Sequence, residues 1–289
     1  MSYSDLYLEK LPNSNTCNRA RSDAILFGVP FDSTHSFRPG TRFAPNTIRE
    51  LFYNIETVIP EFSIDIDQMI IDDLGNIKHT VNSSMMIKMV NKITDELIKA
   101  NKPIFILGGE HLITLGSYTA FENNIGYIVF DAHYDLRNEY GDTKFNHATY
   151  LRRIIEKNNT SKNILHVGAR AYSSEELEFK TRHKIMTITD KDIRNNDGPK
   201  LIKDFCTTFN KIYLSIDLDI LDPSYAPGVG NPEALGITSR DLYEMILALH
   251  SNKILCTDIV ELCPIFDTGS TAAIAAKLLS CILAMSQHS

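Results

Sequence analysis

Short apolar runs and amphipathic stretches alternate along this chain. Eight runs rich in Ile, Val, Leu and Phe are spaced as strands: Ala24–Val29, Met69–Asp72, Pro103–Leu107, Tyr127–Phe130, Asn163–Val167, Ile185–Ile188, Lys211–Ile216 and Ile254–Ile259. Several are apolar at nearly every position, the pattern of strands buried on both faces of a parallel sheet. Between them, Ser83–Ala100 places apolar residues at steps of three and four, as a helix with one buried side requires. Tyr150–Glu156, Arg240–Leu249 and Ala272–Met285 read the same way. The alternation predicts an α/β fold built in layers. No repeat, low-complexity tract or linker interrupts it, so residues 1–289 read as one domain, with 1–22 as an N-terminal extension.

Composition narrows the function. At 289 residues and 43% hydrophobic, the chain can bury one large core. A net charge of −7 leaves no basic face for phosphate, which argues against nucleic-acid binding and mildly favours small cations. Cys17, Cys206, Cys256, Cys263 and Cys281 are widely spaced and form no CxxC pair, so neither a zinc ribbon nor a disulfide framework is expected. The opening MSYSDLYLEK lacks a signal-peptide layout, and no apolar run reaches the ~20 residues of a membrane helix. A cytoplasmic protein without a membrane partner is expected.

In parallel sheets, ligands collect beyond the carboxyl ends of the strands. There this chain places Gly108-Gly109-Glu110-His111, then Asp131-Ala132-His133-Tyr134-Asp135, then Asp217-Leu218-Asp219, and finally Glu261. Alternate residues of an extended segment point the same way, so Asp131, His133 and Asp135 are expected to share one side. Any one of these residues could be an ordinary cap or a hydrogen-bonded core group. Together they are harder to explain that way. Four converging carboxylates would repel and take up protons unless neutralised. Two divalent cations would cancel the charge, with His111 and His133 as nitrogen ligands, and such an oxygen-rich donor set suits Mn²⁺. No phosphate-binding glycine loop occurs, so a nucleotide-dependent enzyme is disfavoured; Gly108 and Gly109 are read as giving the backbone a close approach to the metals.

The segments GGEHLIT, FDAHYDLR, SIDLDILDPSYAPG and DIVELCP resemble the signature segments of the ureohydrolases, the arginase/agmatinase family, and GVPFDSTHSFRPGTRFAPNTIRE resembles their N-terminal block. The resemblance implies a three-layer α/β/α fold around a mainly parallel eight-stranded sheet, assembled as trimers or hexamers. It implies two Mn²⁺ per subunit: one on His111 and Asp135, the other on His133 and Asp219, with Asp131 and Asp217 bridging. It further implies attack on a guanidinium carbon that releases urea and a primary amine. Asp135, His147 and Glu261 stand at the positions of the chemistry, and Glu261, His147 and Asn231 at those of substrate contact. A carboxylate such as Glu261 suits the fork of a guanidinium, and a histidine such as His147 can supply the proton the leaving amine needs.

Leu136-Arg137-Asn138 resembles the agmatinase branch rather than arginases, which favours agmatine, with Glu139 or Asp142 to meet its amine end. The chain departs from the family pattern at His35, Asn231, Leu235 and Cys263; Leu235 is expected to add bulk near the pocket. Other guanidino substrates (guanidinobutyrate, arginine, formiminoglutamate) and a metal-binding protein without catalysis are the alternatives.

Overall fold

The structure, a computed structural model, describes residues 2–10, 17–121, 124–158, 160–249 and 253–287. Met1 and residues 11–16 of the N-terminal extension lie outside these. The strands are β1 (Leu8–Glu9), β2 (Ala24–Gly28), β3 (Val58–Ile59), β4 (Ile64–Asp65), β5 (Ile71–Ile77), β6 (Ile104–Leu107), β7 (Gly126–Phe130), β8 (Ile164–Val167), β9 (Met186–Ile188), β10 (Ile212–Asp217) and β11 (Ile254–Val260). The helices are α1 (Tyr3–Tyr7), α2 (Ala44–Phe52), α3 (Ser83–Ile98), α4 (Ile113–Tyr118), α5 (Tyr150–Asn158), α6 (Ser174–His183), α7 (Asp190–Arg194), α8 (Gly198–Thr207), α9 (Ser239–Leu247) and α10 (Ser270–Gln287).

Among the described residues, nine strands form one sheet in the order β1-β5-β2-β6-β11-β10-β7-β8-β9, and β3 pairs with β4 separately. All pairings in the large sheet are parallel except β1 on β5. Successive side chains of a strand leave on opposite faces. Ala24, Leu26, Phe105, Leu107, Ile128 and Phe130 therefore enter one core, shared with α2, α8, α9 and α10. Ile25, Phe27, Ile104, Ile106, Tyr127 and Val129 enter another, shared with α3, α4, α5 and α6. Two cores flanking one sheet make the three-layer α/β/α fold and explain why its strands are apolar throughout.

Two features differ from the expected eight-stranded sheet. β1 adds a ninth strand, held by a two-residue antiparallel pairing, Leu8 with Ile77 and Glu9 with Asn76, too short to leave a periodic signal. The segment before it docks on α3, where Glu96 accepts hydrogen bonds from the backbone N–H and hydroxyl of Ser4 (3.1 and 2.6 Å). Also, β5 runs on to Ile77, past the apolar run Met69–Asp72. Its polar residues are internal: Arg49 of α2 donates to Asp73 (Nε, 2.8 Å; Nη2, 3.0 Å) and to Asn76 Oδ1 (2.7 Å). A buried ion pair thus masks a core strand from a reading based on hydrophobicity. α10 is long and apolar enough to cross a membrane by composition, yet 67% of it is buried, so it reads as a core helix.

Candidate metal centre and active-site cleft

β6, β11, β10 and β7 are consecutive neighbours in the sheet. His111 follows β6, Glu261 follows β11, Asp217 ends β10 with Asp219 just beyond, and Asp131, His133 and Asp135 follow β7. Parallel pairing aligns the carboxyl ends of these four strands, so six donor side chains meet at one edge of the sheet. His111 Nδ1 lies 3.0 Å from Asp131 Oδ2, 3.0 Å from Asp217 Oδ2 and 3.7 Å from Asp135 Oδ2. His133 Nδ1 lies 2.9 Å from Asp219 Oδ2 and 3.6 Å from Asp131 Oδ1. The donors form two overlapping groups, His111-Asp131-Asp135 and Asp131-His133-Asp219, that share Asp131.

Backbone amides aim three of the carboxylates. Asp131 Oδ1 accepts from His133 N–H (2.6 Å), Asp217 Oδ1 from Asp219 N–H (2.8 Å) and Asp219 Oδ1 from Ala132 N–H (3.0 Å). One oxygen of each is fixed, and each Oδ2 faces a histidine nitrogen. The convergence of Asp131, His133 and Asp135 does not come from strand alternation, as had been expected. β7 stops at Phe130, and Asp135 has a left-handed backbone with φ of +53°. Glu261 is left-handed too, at +65°. Such backbone in non-glycine residues is costly and tends to gather at functional sites.

A chain of hydrogen bonds sets the orientation of His111. Ser215 donates its single hydroxyl proton to Asp258 Oδ1 (2.5 Å), and its oxygen lies 2.9 Å from His111 Nε2. Nε2 is therefore the nitrogen that carries hydrogen and donates, with Tyr150 OH also 2.9 Å away. This directs the Nδ1 lone pair at carboxylate oxygens. Neither His111 Nδ1 nor Asp131 Oδ2 has a hydrogen-bond partner, although both are buried. A cation between lone pair and carboxylates resolves that conflict, so the residues fit a metal pair. Supplied with protons alone, the cluster behaves as a crowded acid. Burial pulls His111 down, but the Asp131 carboxylate outweighs it and holds the imidazole charged up to about 9. Burial and the neighbouring Asp131 and Asp219 charges push Asp135 and Asp217 well above the ordinary carboxylate range.

Asp258 was not singled out from the sequence. It is fully buried and also accepts from Tyr213 OH (2.5 Å) and Thr114 Oγ1 (2.8 Å). It sits three residues before Glu261 inside an apolar strand, and that placement was the available signal. Arg170 was also missed: it donates to the backbone carbonyls of Asp219 and Glu233 (2.8 Å each), tying the Asp219 turn to the loop above it.

A cleft of about 350 Å³ opens over the donors, with His147, Asn231, Glu233, Glu176 and Tyr140 in its wall beside Glu261. Glu261 Oε1 accepts from His111 N–H (2.8 Å); its buried Oε2 has no hydrogen-bond partner, with His35 Nε2 3.4 Å away. Burial pushes Glu261 up to about 8. His147 is 6% exposed, and burial, with the His35 and His133 charges, pulls it down to about 3. It stacks on His35 with ring centroids 5.6 Å apart. Asn231 Oδ1 accepts from Ser36 Oγ at 3.3 Å.

Other expectations fall away. Glu139 and Asp142 are exposed on a loop and do not line the cleft, whereas Glu176 and Glu233 do. Leu235 is 84% exposed and adds nothing to the pocket. Cys263 is buried, its Sγ 3.3 Å from Pro39 O. Gly109 meets not the metal centre but another backbone: a Cβ there would stand 2.0 Å from Phe31 O, because Glu110 N–H donates to that carbonyl (2.8 Å).

Residues 22–285 match the profile of the Arginase family. An N(1)-aminopropylagmatine ureohydrolase from Thermococcus kodakarensis is 38% identical over 260 residues, covering 88% of each chain. An agmatinase from Halalkalibacterium halodurans is 31% identical over 283 residues, covering 96% of each. The crystal structure of the agmatine ureohydrolase of Thermoplasma volcanium superimposes with a TM-score of 0.90 at 32% identity, covering 98% of this chain and 96% of that one.

Proposed function

Since the chain belongs to the arginase family, we propose that it is a manganese-dependent agmatinase, hydrolysing agmatine to putrescine and urea. The observation that carries this reading is Glu261, whose buried Oε2 no hydrogen bond satisfies, in the wall of a cleft that four of the six donors, His133, Asp135, Asp217 and Asp219, also line. A guanidinium offers paired N–H donors and a full charge, which suit such an oxygen. Beyond it, Glu176 and Glu233 make the wall acidic. Arg137, the cation of that wall, is 3.7 Å from Glu176 and lies over the Tyr140 ring, so it is already engaged and poorly placed to receive an α-carboxylate. This favours agmatine over arginine.

His111 and Asp135 would hold one Mn²⁺ and His133 and Asp219 the other, with Asp131 and Asp217 shared. When bound, the metal pair acidifies a water and supplies the nucleophile near neutral pH. The protein's part is orientation and proton handling. Glu261 holds the guanidinium with its carbon over the donors. The water oxygen joins that carbon, the bond to the alkylated nitrogen breaks, and that nitrogen takes a proton to leave as the amine. His147, kept neutral by burial, takes up a proton that the attacking water gives up and passes it to the departing nitrogen. A trimeric or hexameric assembly in the cytoplasm, serving polyamine formation, completes the proposal.

The test is urea release by the Mn²⁺-loaded protein from agmatine, N1-aminopropylagmatine, guanidinobutyrate and arginine in parallel. The expected result is the largest kcat/KM for agmatine. A larger value for N1-aminopropylagmatine would transfer the assignment to the activity named for the Thermococcus relative, and no urea from any substrate would reject hydrolysis.

A further inference from the structure

We propose that Thr34, anchored by the buried Glu110, sets the tautomer and position of His147, and so which of its nitrogens faces the substrate. This rests on the proton-transfer role given to His147 above. Thr34 follows β2, two residues before Ser36 of the cleft wall. Its backbone N–H donates to Glu110 Oε2 (2.8 Å) and its hydroxyl to Glu110 Oε1 (2.5 Å). A hydroxyl has one proton and two lone pairs. With Glu110 as the carboxylate, both of its oxygens taken by Thr34 donors, the hydroxyl proton is committed to it and Thr34 Oγ1 accepts from its other neighbours. Those neighbours both belong to His147: the backbone N–H at 3.1 Å and the ring Nδ1 at 3.3 Å.

Nδ1 must therefore be the nitrogen that carries hydrogen. Nε2 then presents its lone pair toward Ser36 Oγ, 3.4 Å away, whose exposed hydroxyl turns its one proton to Nε2 or to Asn231 Oδ1. That is the arrangement a proton shuttle needs: Nε2 takes a proton and returns it to the leaving nitrogen, while Nδ1–H stays fixed. The opposite tautomer would place two lone pairs, those of Nδ1 and Thr34 Oγ1, against each other. Asn146 ties the same turn down, its side-chain N–H donating to Thr34 O (3.2 Å). Glu110 thus acts through Thr34 as a positioning residue, touching neither substrate nor donor atoms, and this gives a role to the glutamate of the GGEH segment that the metal centre leaves unused.

Thr34→Val keeps the shape and removes the hydroxyl; Thr34→Ser keeps the hydroxyl. Steady-state kinetics of the Mn²⁺-loaded variants across pH are expected to show kcat for Thr34→Val at least about 10-fold lower, a share of the 10²–10⁴ a positioned acid–base group supplies. Its KM and metal content should stay as in the parent, and Thr34→Ser should recover most of the loss. Neutron diffraction from deuterium-exchanged crystals of the parent should place the exchangeable deuteron on His147 Nδ1. A deuteron on Nε2 instead, or a Thr34→Val variant with parental kcat and pH profile, overturns the proposal. If the parent released no urea at all, the agmatinase reading would fall, while the neutron map would still decide the tautomer.

Discussion

His111 Nδ1 and Asp131 Oδ2 stand 3.0 Å apart at the carboxyl edge of the sheet, both buried and neither with a hydrogen-bond partner. Asp131 is common to the two donor groups, so its loss removes a ligand from both proposed ions. Asp131→Ala is expected to bind neither Mn²⁺ tightly and to lose activity by more than about 100-fold, beyond the loss typical of outer partners alone. Metal content after gel filtration, measured with urea release, checks this. Full occupancy of both ions in the variant would contradict the sharing.

The Asp258–Ser215–His111 chain predicts a milder effect at a distance. Ser215→Ala removes the acceptor that keeps hydrogen on Nε2 and frees the ring to adopt the other tautomer. Metal affinity should fall by roughly 10- to 100-fold while the fold is kept. Competition with a chelator reads the affinity directly; an unchanged value would mean that Tyr150 OH alone, also 2.9 Å from Nε2, holds the ring.

pH should act oppositely on the metal-free and metal-loaded protein. The Asp131 carboxylate raises His111 from 6.5 to about 9, so this pairing stabilises the chelated protein fully below pH 6.5 and is lost as pH climbs through 9. Asp135 and Asp217 are raised as well, so ionising them with rising pH also costs stability. Metal binding, in contrast, strengthens as ligands lose protons. The gap in Tm between loaded and chelated protein should therefore widen from pH 6.5 to 9. A gap that narrows would show that the buried carboxylates are not the ligands.

Much of this centre is visible in the primary structure, for identifiable reasons. Apolar strands such as Ile212–Asp217 announce their ends sharply, so Asp217 at the end of β10, Asp131 directly after β7 and His111 four residues after β6 stand out as polar groups. Asp258 and Ser215 escape because they lie inside strands, where a lone polar residue looks like noise until its partner across β10 and β11 is known. Thr34 and Glu110 are 76 residues apart, and no local pattern joins them. β5 hides for a similar reason: Asp73 looks exposed until Arg49 is placed against it. Long-range polar pairing, rather than apolar burial, is what the linear pattern conceals.

Gly230 tests the guanidinium end of the cleft. A Cβ there would stand 2.5 Å from His35 Cε1 and 3.1 Å from Glu261 Oε2. Gly230→Ala should push His35 and Glu261 out of line and lower kcat/KM by up to about 100-fold, as misplacement near 1 Å can do, with both metals retained. Loss of the metals would place the damage at the donors instead. Parental kinetics would show that Glu261 is not held by this packing.

The paired-cation centre itself is tested most directly by anomalous diffraction at the manganese edge from crystals grown with Mn²⁺. The account predicts two peaks per chain, roughly 3.5–4 Å apart, one beside His111 and Asp135 and the other beside His133 and Asp219. A single peak, or peaks away from these side chains, would contradict it.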